Sequence, residues 1–311
     1  MKIVYLYPQS SYISSYDSDF LFGYLLTILK YLFGQDYTNK IVQEFENNNP
    51  PFLLSSCFYF SNESNRKTHF LPKPLVNNAL KDINEIGDYA AIKKSKKQKY
   101  ITSEFLSDLL KDGYLNLDNL NSTNIKEIKI KHSSTPHSRI DRITNTTAEN
   151  SFYHTDDIFI ENGGLFFLYD GDLKIIEPAL NFINHFGMGA DTSSGKGHFK
   201  IDISEIEFPQ VDNPNCFINL SCYYPSIEEV EFYKKNSENL FYELDQKQGK
   251  IGSDSYTTRQ FKKRLVDFFV PGSVFPIIPN HNFFGCIKEV AKIDGMSIKF
   301  NGFSLGIKIR I

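Results

Sequence analysis

The first apolar run along the chain, 3–7 (IVYLY), reads as a strand at the very start. Ser18 then offers a helix N-cap, with Asp17 and Asp19 near the positive end of the dipole. Leu21, Leu25, Ile28, Leu29 and Leu32 follow at helical spacing, and Gly34 closes the helix. After Pro50 and Pro51 the run FLLSSCFYF predicts a strand over 52–60. The stretch 62–100 is polar and lysine-rich and carries no readable period. Thr102 is placed to cap a helix over 103–111 that Gly113 stops. IKEIKIKH, from 125, alternates apolar and charged positions as a half-solvated strand does.

A polar segment, 133–150, separates this strand from two more, near 151–160 and 164–169. A helix over 172–186 places Leu173, Ile176, Leu180 and Ile183 on one side. A glycine-rich loop, GMGADTSSGKGHF at 187–199, leads from it into the alternating strand 199–208. Strand, helix, long insertion, strand, helix, glycine loop, strand is a stretched βαββαβ order of the ferredoxin-like kind. Pro209 and the DNPN turn at 212–215 mark a boundary. A second, mostly β unit begins with CFINLSCYY at 216–224, followed by a short helix at 226–235. Strands are expected near 239–246, 264–270, 274–278, 284–293 and 298–310. The fold class is thus α+β, with domains at 1–210 and 211–311.

A length of 311 residues suits two domains, and 41% hydrophobic residues suffice for packed interiors. The formal net charge of −3 means that any nucleic-acid site is a local basic patch on a nearly neutral body. Cys57, Cys216, Cys222 and Cys286 form no C-x-x-C pair and sit among apolar neighbours, the pattern of buried free thiols. With no signal peptide at the start, a reducing cytoplasm is expected. The most apolar stretch, 20–34, is interrupted by Gly23, Thr27 and Lys30 and falls short of the ~20 residues of a membrane span. No cofactor and no metal are expected: the chain lacks an H-x-x-x-H pattern, and the closeness of His154, Asp156 and Asp157 is not diagnostic.

The glycine loop carries the most chemistry. Gly187, Gly189, Gly195 and Gly197 let the backbone turn through positive φ and bring N–H groups to a ligand. Successive exposed N–H groups make an anion-binding nest, and Ser193, Ser194 and Lys196 add donors and a charge suited to phosphate. Ala190 through Lys196 imitates a P-loop, but Gly197 stands where the magnesium-binding hydroxyl belongs. The order helix–loop–strand also opposes it, since a P-loop needs strand–loop–helix. The bland alternative is a connector that binds nothing.

Elsewhere His137, Arg139 and Arg142 lie in a segment dense in groups that contact RNA; the competing reading is a loop in which Asp141 pairs with an arginine. Phe152 and Tyr153 are candidate stacking aromatics. Lys73, between Pro72 and Pro74, is held on a stiff extended segment. The lysines at 93, 94, 96, 97 and 99 either touch phosphates or form a solvated face.

GMGADTSSGKGHF after an amphipathic helix resembles the signature loop of RAMP superfamily proteins in CRISPR effector complexes. A further ordered set is similar to the family of fourth subunits of the Csm complex, the type III-A effector. It comprises SDFLFGYLLTILKYLFG, PPFLLSSCFYF, FLPKP at 70–74, KKQKYITSEFLSDLL at 96–110, HSRIDRITNTTAENSFYHTDDIFI at 137–160, GSVF at 272–275 and the closing NGFSLGIKIRI.

The resemblance implies two ferredoxin-like (RRM-like) RAMP domains, with the glycine loop between the second helix and last strand of the first and a thumb hairpin near 130–160. It implies a non-catalytic subunit that holds the 5′ repeat-derived tag of the crRNA and meets the large polymerase-like subunit and a backbone subunit. The RNA-binding residues expected on this basis are Ser18, Lys73, His137, Arg139, Arg142, Gly187, Gly189, Ser193, Ser194, Gly195, Lys196, Gly197 and His198. The alternative is a metal-independent endoribonuclease acting through His132, His137 or His154. Against it, such enzymes carry their glycine loop near the C-terminus, and here it lies mid-chain.

Overall fold

In the computed structural model the chain is described at all residues except 64–65, 77–97, 113–127, 250–261 and 294–295. The first strand, β1 (Lys2–Pro8), is followed by α1 (Ser18–Phe33), whose Leu21, Leu25, Ile28 and Leu29 are buried. The cap of α1 is Asp17 and not Ser18: its carboxylate accepts the Phe20 N–H at 2.8 Å. Gly34, at φ +87°, ends this helix and starts another, α2 (Gln35–Glu46), which the pattern does not announce. Thr38, Ile41 and Phe45 are its only buried side chains. The strand expected over 52–60 is two, β2 (Phe52–Leu54) and β3 (Phe58–Glu63). Between them the Ser55 N–H donates to Leu168 O at 3.0 Å, and its hydroxyl accepts the Leu168 N–H at 2.8 Å. One serine thus replaces a rung of the ladder and lets the strand break without orphaned groups.

β4 (Arg66–Pro72) turns back on β3, and β5 (Tyr100–Thr102) leads into α3 (Ser103–Asp112). The Thr102 hydroxyl accepts the Phe105 N–H at 3.3 Å, as the sequence suggests. The stop assigned to Gly113 and four of the five clustered lysines lie outside the described residues. Next comes a long ribbon of β6 (Lys129–His137) and β9 (Tyr153–Glu161), tipped by the small hairpin of β7 (Ile140–Asp141) and β8 (Thr146–Thr147). β10 (Gly163–Gly171), α4 (Glu177–Phe186) and β11 (Phe199–Glu205) complete the first half. The α4 helix begins later than 172 because a 3-10 turn, Leu173–Ile175, precedes it and Pro178 suits a first helical turn.

In the second half β12 (Cys216–Asn219) precedes α5 (Ile227–Lys235), which starts on a reciprocal capping box of Ser226 and Glu229. β13 (Leu244–Lys247), β14 (Val266–Phe269), β15 (Val274–Pro276), β16 (Ile287–Ile293), β17 (Met296–Asn301) and β18 (Gly306–Ile309) follow. Five α-helices and antiparallel sheets make a mixed fold among the described residues. The main sheet runs β11-β1-β10-β3-β4-β5, with β2 also on β10. The second half has β15-β12-β18 and the separate pairs β13–β14 and β16–β17.

One face of the main sheet is covered by α1, α2 and α4, joined by Phe303 from the second half. On the other face Ile3, Tyr5, Phe60 and Leu168 pack with Phe105 and Leu106 of α3 and with Ile218, Leu220, Val274, Leu305 and Ile307. The halves therefore share a core. A polar seam reinforces it: Ser221 Oγ donates to Leu54 O at 2.6 Å and accepts the Leu305 N–H at 2.9 Å. Lys247 reaches from β13 to Asp17 at 2.6 Å and Asp19 at 3.0 Å. Burial pulls this ammonium down, but the two carboxylates outweigh it and hold it above the ordinary lysine range.

Within the same core the His69 imidazole lies 2.8 Å from the Tyr5 hydroxyl. Burial, with the Lys67 ammonium nearby, pushes His69 down to about 4. All four cysteines are free, and burial pushes the Cys216 and Cys286 thiols up to about 11. Among the described residues no helix is long and apolar enough to cross a membrane.

Candidate nucleic-acid interface

The glycine loop leaves α4 and returns to β11 along a tightly fastened base. The Gly187 N–H closes the helix on Ile183 O, the Met188 N–H donates to Gly197 O, and the Gly197 N–H donates to Ser11 O at 2.7 Å. The Tyr16 and Tyr24 hydroxyls add bonds to Met188 O and Gly187 O at 2.9 and 3.0 Å. All four glycines have positive φ, at +81°, +101°, +90° and +67°. Three are required by the loop's own packing. A Cβ at Gly187 would lie 2.7 Å from Gly197 O, one at Gly197 2.2 Å from Met188 O, and one at Gly189 2.9 Å from the Tyr16 hydroxyl. Gly195 alone meets nothing within 4 Å.

The apex differs from the base. Ala190 and Ser193, Ser194 and Gly195 are exposed, while Gly187, Met188, Lys196 and Gly197 are buried. Ser194 turns its hydroxyl inward to Asp191 O at 2.9 Å. His198 is half-buried, its N–H on Ser10 Oγ and its Nε2 3.3 Å from Thr192 O.

Lys196 departs from its expected part. Its ammonium is not held out for a phosphate but donates to Asp157 Oδ1 at 2.6 Å and Thr155 Oγ1 at 2.9 Å. The two charged side chains are only 11% and 5% exposed. Burial alone raises the Asp157 carboxyl, yet the Lys196 ammonium and the Thr135 and Thr155 hydroxyls outweigh it and hold it below the usual range. A buried carboxylate without a cation is costly, so the pair draws the lysine inward.

Asp157 and Thr155 lie on β9, so the pair joins the loop to the ribbon. β9 is also fixed at its base by two backbone bonds between Ile158 and Tyr12. Further out, His137 bonds Thr155 Oγ1 at 3.0 Å and stacks on Tyr153, with ring centroids 5.1 Å apart. Beyond it Arg139 and Arg142 are exposed, and neither forms an ion pair among the described residues. Asp141 accepts instead from the Ile143 N–H at 2.8 Å, which removes the salt-bridged-loop reading. Phe152 and Tyr153 stand open at 65% and 54% exposure.

Two expected residues lie away from this group. Ser18 is fully buried, its hydroxyl accepting the Cys222 N–H at 2.8 Å, so it joins the halves and does not face a ligand. Lys73 is half-buried on the wall of a cleft of about 1450 Å³ between the halves, shared with Asp17, Tyr100, Tyr242 and Asp245. Among the described residues no three His, Cys, Asp or Glu side chains gather to hold a metal. Tyr16, Tyr24, Thr155 and Asp157 shape the loop without having been expected to. Their partners are 39 to 172 residues away in sequence, and no local signal marks them.

Residues 212–309 match the family Csm4_C, described as the CRISPR Csm4 C-terminal domain. That stretch is similar to the Csm4 C-terminal domain. A curated relative, "CRISPR system Cms protein Csm4" of Thermococcus onnurineus (strain NA1), is 28% identical over 214 residues, spanning 66% of this chain and 68% of the relative. Two solved structures share the fold along the chain's length. A Csm1–Csm4 cassette in complex with pppApA matches with TM-score 0.64 and 20% identity, over 100% of this chain and 98% of that one. A Csm3–Csm4 subcomplex of the type III-A CRISPR-Cas interference complex matches with TM-score 0.63 and 17% identity, over 98% of each chain. The chain thus resembles Csm4 proteins in domain, sequence and fold.

Proposed function

We propose that this chain is the non-catalytic, RNA-holding subunit of a type III-A CRISPR effector. It grips the 5′ repeat-derived tag of the crRNA and joins the large polymerase-like subunit to the backbone, in the cytoplasm. The observation that carries the reading is the full-length likeness to Csm4 chains seen with Csm1 and with Csm3. The order β11-β1-β10-β3, which is last–first–third–second, supports a ferredoxin-like core for a domain at 1–210, with the remainder at 211–311. The glycine loop offers a polar apex with Ser193 and Gly195 exposed, and the ribbon tip offers Arg139 and Arg142 free of carboxylates. Phosphate is the partner for the first and a base face or phosphate for the second. His137 and His198, each hydrogen-bonded within the site, shape it from beneath.

The test is a titration of the purified chain with single-stranded RNA carrying the repeat-derived 5′ end, in EDTA, at several salt concentrations. Binding without cleavage, weakened by salt, is the expected result. Cleavage in EDTA makes the chain a metal-independent endoribonuclease and overturns the proposal, as does the absence of binding both alone and with the two partner subunits.

A further inference from the structure

Lys196 sits in the loop that the proposed function assigns to RNA, yet its charge is spent inside the protein. The Asp157 carboxylate receives three donors, Lys196 Nζ at 2.6 Å, Thr135 Oγ1 at 2.6 Å and Thr155 Oγ1 at 3.3 Å. Thr155 Oγ1 in turn meets Lys196 Nζ and His137 Nε2, and the His137 ring lies on Tyr153 near the tip. These contacts make one continuous polar line from the base of the glycine loop, across β9 to β6, toward the arginine-bearing hairpin. The links from Lys196 and Thr135 to Asp157 are short, and the Lys196 and Asp157 side chains are almost wholly shielded from water.

We infer that Asp157, Thr155 and Lys196 are positioning residues, a brace that fixes the ribbon against the glycine loop so that both grips meet one RNA strand together. The inference rests on RNA binding at loop and ribbon. It also reassigns Lys196, which holds the site in shape and does not itself neutralise a phosphate. The outer ribbon has little else to fix it. Beyond the Tyr12–Ile158 bridge, residues 133–156 are exposed or half-exposed and Asp157 is buried, so among the described residues no apolar packing sets the angle of the outer ribbon. A two-stranded ribbon alone is marginal in water. Holding two contact sets at a fixed spacing lowers the ordering cost of binding, and its loss shows as weaker affinity without any lost contact.

The sign of one substitution separates the brace from a direct contact. Asp157→Asn removes a negative charge and frees the Lys196 ammonium. If Lys196 touches phosphate, the variant binds RNA more tightly and with a steeper salt dependence. If the pair is a brace, affinity falls on the order of tenfold, the effect of a coupling of about 1.4 kcal/mol, and the salt slope stays unchanged. Lys196→Met should behave the same way, Lys196→Arg should rescue much of the loss, and the double variant Lys196→Met/Asp157→Asn should be no worse than either single one.

Thr155→Val, nearly isosteric, serves as the milder variant should the charge changes unfold the chain; it cuts the line to His137 and should cost affinity in the same direction. Hydrogen exchange on the RNA-free full chain gives an independent reading. The amides of 133–135, 137 and 153–157 should exchange faster in all these variants except Lys196→Arg, while those of β1 and β10 stay protected. Tighter binding by Asp157→Asn, a flatter salt slope for Lys196→Met, or unchanged ribbon exchange overturns the brace. If no variant changes RNA affinity, and Arg139→Ala does not either, the RNA assignment fails; ribbon exchange still decides the brace.

Discussion

Replacing Lys247 by Met leaves the stem packed and removes the one cation between Asp17 and Asp19. Removing one partner of a buried ion pair costs about 3–5 kcal/mol, mostly for the charge left behind. Here the figure is discounted, because the Lys247 and Asp17 side chains are 26% and 28% exposed and water relieves part of the loss. Asp19 is only 5% exposed, and its charge keeps the N–H of Asn301 on Oδ1 at 3.1 Å and its place in the first turn of α1. A loss of about 2–3 kcal/mol follows.

Urea unfolding followed by circular dichroism and tyrosine fluorescence measures it; the chain has 18 tyrosines and no tryptophan. Because the halves share a core, the variant should still unfold in one transition, at a lower midpoint with unchanged slope. Asp19→Asn keeps the acceptor for Asn301 and removes the stranded charge, so the double variant should recover more than half the loss. The pH dependence has a definite sign. The folded state holds Lys247 above an ordinary lysine, so its stabilisation is complete below about pH 10.4 and fades only above it. A loss below about 0.5 kcal/mol, within the range of ordinary surface changes, would refute the reasoning. So would two separate transitions.

Arg139→Ala should cost on the order of 1–3 kcal/mol of binding and hurt the native tag more than a scrambled one, read by fluorescence titration of both RNAs. Gly197→Ala, which puts a Cβ 2.2 Å from Met188 O at φ +67°, should lower stability on the order of 3 kcal/mol. Gly195→Ala has open space and should lose only about 1 kcal/mol, both losses being read by the same urea unfolding. His69, pushed down to about 4, contributes stability that is present above about pH 6.5 and is lost as pH falls toward 4. Acid titration of His69→Gln should therefore show a shallower decline than that of the parent chain. His132→Ala, His137→Ala and His154→Ala should change RNA cleavage by the assembled complex no more than their binding defects explain. One such variant that binds normally and cleaves nothing would make the chain an enzyme.

The sequence displays those elements whose buried face is set by local periodicity. The α1 helix shows through Leu21, Leu25, Ile28 and Leu29, and α5 through its capping box. At the start of α1 two adjacent cap formers compete. Asp17 takes the cap because the second half claims the Ser18 hydroxyl, a tertiary demand with no local trace. The α2 helix stayed hidden because only Thr38, Ile41 and Phe45 turn inward from a polar segment that follows a glycine stop. β6 runs on through Ser133–His137, where Thr135 and His137 are half-buried against polar partners; without an apolar face there is no alternation to read. The glycine loop announced its place but not its wiring. Lys196 looks like a phosphate ligand until Asp157, 39 residues earlier, is brought beside it.

The shared core has a consequence for anyone cutting this chain at the edge of its family match. Residues 212–309 can be recognised by themselves, but the face formed by Ile218, Leu220, Val274, Leu305 and Ile307 has its counterpart on the main sheet. Expressed alone, that fragment would present a greasy sheet to water and a hydroxyl, Ser221 Oγ, with its Leu54 acceptor gone. What a family match delimits as a module is here half of a folding unit, and a soluble fragment would need its exposed face redesigned as well as its ends chosen.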